Sequence, residues 1–395
     1  TRGSLRKGTR NVKIAFFAWE SLHTVQVGAV ATHVTELAAA LDRRGHEVHV
    51  FARIGEGQRL YDVIDGVHYH RCPIDLDPDF VNEMTNMGRS LYQRLVETEG
   101  FQATPFDVVH AHDWLCSKGL VQAKNERGRH VVLTFHSTEF GRAGNRGPQS
   151  GRIASIEAEG AYVADRIITA SAALADEVCW LYHTPNDKVR TIRDGIHCAF
   201  YDRQVDAGEV RKEIGIGPLD PTVLFSGRFC WDDGPDLLID AIPGILEHRS
   251  DSKFVLVGDG EMRGYLEQRV AELGVGQSVR FLGNVPDLAR LLLSVDVVCV
   301  PSRRESFGPR VLEAWAARRP VVVTYKLDVQ DFVHHGMDGM VVYDNPPSIC
   351  WGITTLFSDF EKARQIGDRG RVKAAYGYSW DVIAGQVEGV YRELL

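Results

Sequence analysis

Short apolar runs rich in Val and Ile alternate with amphipathic segments along nearly the whole chain, the pattern a parallel sheet covered by helices leaves in a sequence. A first series predicts strands at Val12–Phe17, Glu47–Phe51, Val108–Ala111, Val131–Phe135, Arg166–Ala170 and Val189–Ile192. A second predicts them at Val223–Ser226, Phe254–Val257, Val279–Leu282, Val295–Val300, Val321–Thr324 and Met340–Tyr343. Between the series, Gly195 to Pro221 carries Gly208, Gly215, Gly217 and Pro218 with no sustained apolar period, and reads as an interdomain linker. Two helices stand out. Val34, Leu37, Ala38 and Leu41 make one stripe that closes on Gly45, where a left-handed residue is wanted. Ser379 precedes Trp380, Ile383, Val387, Val390, Tyr391 and Leu394 at three- and four-residue steps, an N-cap and an apolar face. The expected architecture is α/β: two doubly wound parallel-sheet domains, residues 1–200 and 201–376, with a final helix, 377–395, packing back on the first.

Composition narrows the class. The 395 residues are 44% hydrophobic and 25% charged, which fits a two-domain globular chain and excludes wholesale disorder. With Lys plus Arg at 45 against Asp plus Glu at 53, the net charge is −8, a poor match for nucleic acid, so any phosphate must be met by local cations. The seven cysteines are scattered with no zinc-ligand spacing and read as reduced thiols. The most apolar stretch, Leu291 to Pro301, contains Asp296 and is far shorter than the roughly 20 residues of a membrane span. With no signal-peptide pattern at Thr1, cytoplasmic residence is the default expectation, and peripheral attachment at the inner membrane surface stays open.

The run Pro301-Ser-Arg-Arg-Glu305-Ser-Phe-Gly308-Pro-Arg-Val-Leu-Glu313 follows directly on a predicted buried strand. Pro309 suits a first helical turn, so the amides near Ser306, Phe307 and Gly308 face whatever lies before the helix, an anion site. Glu305 suits sugar hydroxyls and Glu313 a ribose diol; two surface acids are the plainer alternative. Arg228, after Ser226-Gly227 at the end of the second series' first strand, offers a planar fork to a diphosphate, or else a surface salt bridge. Near the start, Val27-Gly28-Ala29 opens the Gly45-terminated helix, where glycine permits close approach to a ligand or simply a tight turn. His110-Ala-His112-Asp113 resembles half a metal site but has no third ligand at an obvious spacing, so loop hydrogen bonding is favoured. His136, with Thr138 and Glu139 close behind it, ends a strand where it can meet a polar substrate or serve local capping.

Together these residues resemble the retaining, nucleotide-sugar-dependent glycosyltransferases of the two-Rossmann-domain (GT-B) type, family 4, and within it the glycogen-synthase-like branch. The resemblance spans about Val12 to Leu395. It is carried by His33-Val-Thr-Glu-Leu-Ala, Arg43-Arg-Gly-His-Glu-Val, His110-Ala-His-Asp-Trp, His136, Gly195-Ile, Gly227-Arg228, Val257-Gly-Asp-Gly260, Phe281-Leu-Gly283 and the seven residues separating Glu305 from Glu313. It implies two domains facing across a cleft. His136, Glu305 and Arg228 would act at the reaction centre, Glu305 on the donor sugar and Arg228 on the diphosphate. Gly28, Asn284, Val285, Ser306, Phe307, Gly308 and Glu313 would hold the donor, Asn284 and Val285 around its base. It further implies hexosyl transfer, glucose favoured, from UDP- or ADP-glucose to a glucan, other saccharide or glycolipid acceptor. No cofactor or metal is required, although a divalent ion, a homo-oligomer and a partner subunit all stay open.

The chain departs from the family pattern where charge matters. The usual Gly-Arg-x-x-x-x-Lys-Gly reads Gly227-Arg-Phe-Cys-Trp-Asp-Asp233-Gly234, so Asp233 stands in place of the second phosphate-binding cation. Leu327-Asp328 replaces a double glycine, Gly28-Ala29 opens the first helix, and Asp194-Gly-Ile-His197 replaces Asn-Gly-x-Asp. Lys326 is a candidate substitute cation, and Asp232 with Asp233 a candidate ion site. The alternative to an active transferase is a glycosyltransferase-like subunit that binds the nucleotide sugar without turnover. A nucleotide-sugar epimerase is disfavoured, because neither GxGxxG nor a placed Tyr-x-x-x-Lys pair is present.

Overall fold

The computed structural model describes residues 11–304, 308–326, 329 and 332–395. It divides into two compact units. One runs up to Asp194 and takes in Trp380–Leu395; the other is Gly195–Ser379.

The first unit is built on an eight-stranded sheet: β1 (Lys13–Ala18), β2 (Glu47–Arg53), β3 (Tyr61–Ile64), β4 (Val67–Cys72), β5 (Val108–His112), β6 (His130–Phe135), β7 (Arg166–Thr169) and β8 (Val189–Thr191), in the order β3-β4-β2-β1-β5-β6-β7-β8. Its neighbours pair in parallel except β3 with β4. The second carries β9 (Thr222–Ser226), β10 (Lys253–Val257), β11 (Val279–Gly283), β12 (Val297–Val300), β13 (Val321–Thr324) and β14 (Met340–Val342), all parallel, in the order β11-β10-β9-β12-β13-β14. The twelve predicted strands lie within two residues of observed ones. Both central sets are continuous buried runs, as two-sided helix cover demands.

Two features differ from expectation. The hairpin β3–β4 was missed, although Asp65 (φ 51°) and Gly66 (φ 86°) form the positive-φ pair typical of a two-residue turn. Residues 195–221 are also more than a linker. They belong to the second unit and hold the helix Ala207–Glu213, capped by Asp206, whose Val210 is buried together with Ile216. Arg211 from this helix forks onto Asp296 at 2.9–3.0 Å and donates to the Ser294 carbonyl.

The last helix, Trp380–Arg392, packs against the first unit's helix Ala29–Arg43, with Trp380, Ile383, Val387 and Tyr391 buried. Polar contacts fix its register: Arg44 Nε donates to Glu388 at 2.8 Å, and Arg166 and Arg190 both reach Glu393. The seven cysteines are free. Among the described residues no helix is long and apolar enough to cross a membrane.

In each unit the strand order reverses beside the first strand, between β1 and β5 and between β9 and β12. At the second reversal the turn after β9 is pressed against the chain leaving β12. The Arg303 and Arg304 amides donate to the Asp232 carbonyl, and a Cβ on Gly234 (φ 68°) would lie 2.2 Å from the Pro301 carbonyl oxygen. Gly234→Ala should therefore cost about 2 kcal/mol or more, read as a lower urea midpoint; an unchanged midpoint would contradict this packing. A second expectation concerns pH. His49 and His70, bonded to each other at 2.9 Å and nearly inaccessible, are pushed down by burial to about 4 and about 3. The unfolded chain protonates them near 6.5, so their contribution is present above that pH and is lost as pH falls through it. Stability at pH 5 should be lower than at pH 7 by about 2–4 kcal/mol from this pair, and urea titrations at the two pH values measure it.

Candidate functional site

The carboxyl edge of the second sheet gathers cations and acids from three loops. Arg228 leaves β9 with its side chain 73% exposed. Asp233, five residues on, turns back so that Oδ2 accepts the Arg228 N–H at 2.9 Å, while Oδ1 lies 3.7 Å from the Arg228 Nη2. The aspartate that stands where the resembled pattern has a lysine thus anchors the turn's backbone and lies beside its guanidinium. From the chain after β12, Arg303 grips Asp236 with both ends of its fork, at 2.8 and 2.5 Å, and its plane lies 4.9 Å from the Trp231 ring centroid.

Gly308 opens the helix Gly308–Ala316, and within its first turns Arg310 Nη1 donates to Glu313 Oε2 at 2.9 Å. The charge of Glu313 holds the Arg310 guanidinium above its ordinary range, with Asp233 adding to the effect. Glu305, Ser306, Phe307, Leu327 and Asp328 lie outside the described residues. Lys326 donates to Asp344 Oδ2 at 2.8 Å, so as it stands it is committed to another acid. Asn284 and Val285 follow β11, the former exposed and the latter half-buried against the core. Asp232 and Asp233 join no group of three potential metal ligands among the described residues.

The carboxyl edge of the first sheet gathers imidazoles instead. His110 and His112 alternate along β5 and stack at 4.6 Å. His110 is locked between Thr134 Oγ1 and Tyr391 Oη, both at 2.7 Å, which makes it structural. His136, at the end of β6, is held by its N–H to Asp113 Oδ1 at 2.8 Å and shares a 3.2 Å hydrogen bond, Nε2 to Nδ1, with His112. The third imidazole comes from the first helix. His33 Nδ1 meets Asp194 Oδ1 at 2.7 Å, and its ring stands edge-on to His136 at 4.6 Å. One nitrogen of each of His33, His112 and His136 lies within 4.8 Å of the others, close enough to share a cation or a polar ligand. The Nε2 atoms of His33 and His112 are buried with no protein partner.

Burial, reinforced by neighbouring imidazoles, pushes His110 and His112 well below the ordinary histidine range, and burial likewise lowers His136 against the pull of Asp113. These rings are neutral at pH 7 and present one donor and one acceptor each. Asp194 is raised by burial, but His33 outweighs that and leaves it low. Behind His136, Thr138 caps the short helix Glu139–Ala143, and Glu139 is buried against Ser150 and Arg142, which is the local-capping role.

Gly28 is the N-cap of the helix Ala29–Arg43, but its amide is already used. Glu20, buried after β1, accepts the Val27 and Gly28 N–H groups at 2.5 and 2.7 Å. Sequence reasoning missed Glu20 and Arg310, and met Asp194 only as a departure from the family pattern without its pairing to His33; nothing in local spacing links Glu20 to a turn eight residues on or Asp194 to a helix 161 residues earlier.

A family model described as Glycosyltransferase Family 4 matches residues 28–200, and one described as Glycosyl transferases group 1 matches residues 220–359. An uncharacterised glycosyltransferase of Methanocaldococcus jannaschii is 36% identical over 389 residues, covering 96% of this chain and 98% of that one. Two solved structures share the fold: the catalytic domain of starch synthase IV from Arabidopsis thaliana bound to ADP and acarbose (TM-score 0.76, 17% identity, 98% and 99% covered), and an Anabaena protein in complex with UDP-glucose (TM-score 0.74, 19% identity, 97% and 100% covered).

Glu20→Ala should free two amides and loosen the start of the helix. Hydrogen exchange at Val27 and Gly28 should accelerate at least tenfold and the protein lose about 1–3 kcal/mol; unchanged protection at both amides would show that this carboxylate does not hold the turn.

Proposed function

The chain belongs to the family 4 glycosyltransferases, and from that footing we propose that it moves a hexosyl group, glucose by preference, from UDP- or ADP-glucose to a hydroxyl acceptor with retention at the anomeric carbon. The acceptor is a glucan, another saccharide or a lipid-linked sugar. The carrying observation is the exposed Arg228 guanidinium on the turn that packs against the chain leaving β12, in the unit that also presents the Arg310–Glu313 pair. A departing diphosphate develops negative charge that must be met by cations nearby, and the planar fork of a guanidinium at a strand end matches phosphate oxygens. Glu313 suits a ribose diol, and Glu305 the hydroxyls of the donor sugar. In the first unit, neutral His136 suits a sugar hydroxyl, since an imidazole without charge can accept from O–H as well as donate to it. The ADP-bound starch synthase and the UDP-glucose-bound Anabaena protein support the choice of donors. Transfer through these groups needs no metal.

One observation favours a second reading, a subunit that binds nucleotide sugar without turnover: Asp233 sets a negative charge 3.7 Å from the Arg228 Nη2. At about 5 Å and an effective dielectric near 20, replacing a cation by an anion beside a diphosphate costs up to about 6 kcal/mol before solvent screening, some four decades in rate.

Free nucleotide released from UDP-glucose and ADP-glucose, with and without glucan, separates the two. Acceptor-dependent release is expected; binding of UDP or ADP with no turnover over a panel of donors and acceptors selects the second reading, and absence of binding excludes both. Glu305→Ala should abolish transfer and leave the melting temperature nearly unchanged. A large fall in melting temperature with activity per folded molecule retained would remove Glu305 from the site.

A further inference from the structure

The question left by Asp233 is where the second cation comes from. Arg303 has both ends of its fork on Asp236 and one nitrogen also on the Trp231 carbonyl. Lys326 is bound to Asp344. Arg304 lies 3.9 Å from Asp232. Arg310 is different. It spends Nη1 on Glu313, while its Nε and Nη2 donate to no other group among the described residues, and its side chain is 37% exposed. The helix that carries it begins four residues after Arg304, whose amide donates with that of Arg303 to the Asp232 carbonyl, next to the turn in which the Asp233 carboxylate accepts the Arg228 N–H; Asp233 also helps to keep the Arg310 guanidinium charged. Arg228, Asp233, Arg310 and Glu313 sum to zero, so what the helix start adds beside the Arg228–Asp233 pair is a second guanidinium with N–H donors still to give.

We propose that Arg310 supplies the second phosphate-binding cation of this site, delivered from the first turn of the helix Gly308–Ala316 in place of the lysine missing at position 233. The inference rests on the reading that a nucleoside diphosphate binds beside Arg228. Glu313 keeps the guanidinium oriented through one nitrogen, and the remaining donors of the planar fork are left for phosphate oxygens, which two parallel N–H groups match well. Cationic help is moved from the strand-end turn to the helix start, and Asp233 is left to fix the turn. Arg310 also neutralises part of the charge that Asp233 would otherwise direct at the ligand.

Calorimetric titration of the full chain with UDP and ADP, and with UMP and AMP, tests this. Arg310→Gln should weaken both diphosphates by about 10- to 100-fold, the effect of one unscreened to partly screened charge. It should leave the monophosphates within about threefold, because the lost charge faces the phosphate that they lack. Arg310→Lys should keep most of the affinity, and Arg310→Gln with Asp233→Lys should regain part of it. Diphosphate affinity unchanged in Arg310→Gln, while the parent binds, would overturn the proposal and leave the function standing. So would an equal loss for diphosphates and monophosphates, which would mean that Arg310 only positions Glu313. A parent chain that binds none of the four would overturn the reading of the site itself, and the proposal with it.

Discussion

Parallel strands deliver all their carboxyl ends to one edge, and where the strand order reverses the loops leaving adjacent strands part company. That constraint decides which loops gather at the carboxyl edge of each sheet. The two units fill the same topological position with different electrostatics. Beside β9 and β12 the chain sets guanidiniums among acids. Beside β1 and β5 it buries imidazoles that are kept neutral.

The fold was legible because two-sided burial writes an unbroken Val- and Ile-rich run for every central strand, and such runs are hard to mistake. What escaped was what periodicity does not encode. The β3–β4 hairpin is short and half-exposed, with its signal in Asp65-Gly66 alone. Residues 195–221 look like a linker because their glycines and prolines flank a helix of only seven residues. In the site, residues fixed by their own strand end, such as Arg228 and His136, could be read locally. Partnerships across the sequence could not: His33 with Asp194, Glu20 with Gly28 and Tyr391 with His110 exist only once the chain has folded.

Asp233 shows why reading a substitution as a lost charge is incomplete. In the family pattern the position serves the ligand. Here its carboxylate accepts a backbone N–H in the same turn and lies 3.0 Å from where a side chain on Gly227 would begin. The residue has become part of what holds Arg228 in place, so charge and scaffold at this position cannot be separated by a single replacement.

The first unit is closed by the helix Trp380–Arg392, which supplies Tyr391 to His110 and Glu388 to Arg44. During synthesis on the ribosome those partners emerge only after the whole of Gly195–Ser379 has been made. The second unit is thus complete in sequence before the first can be finished, and the growing chain must carry an N-terminal half with an uncovered helix face and an unmatched buried imidazole until its last turns appear. Order of translation and order of completion are reversed, which makes the final segment the step that commits the amino-terminal half to its native form.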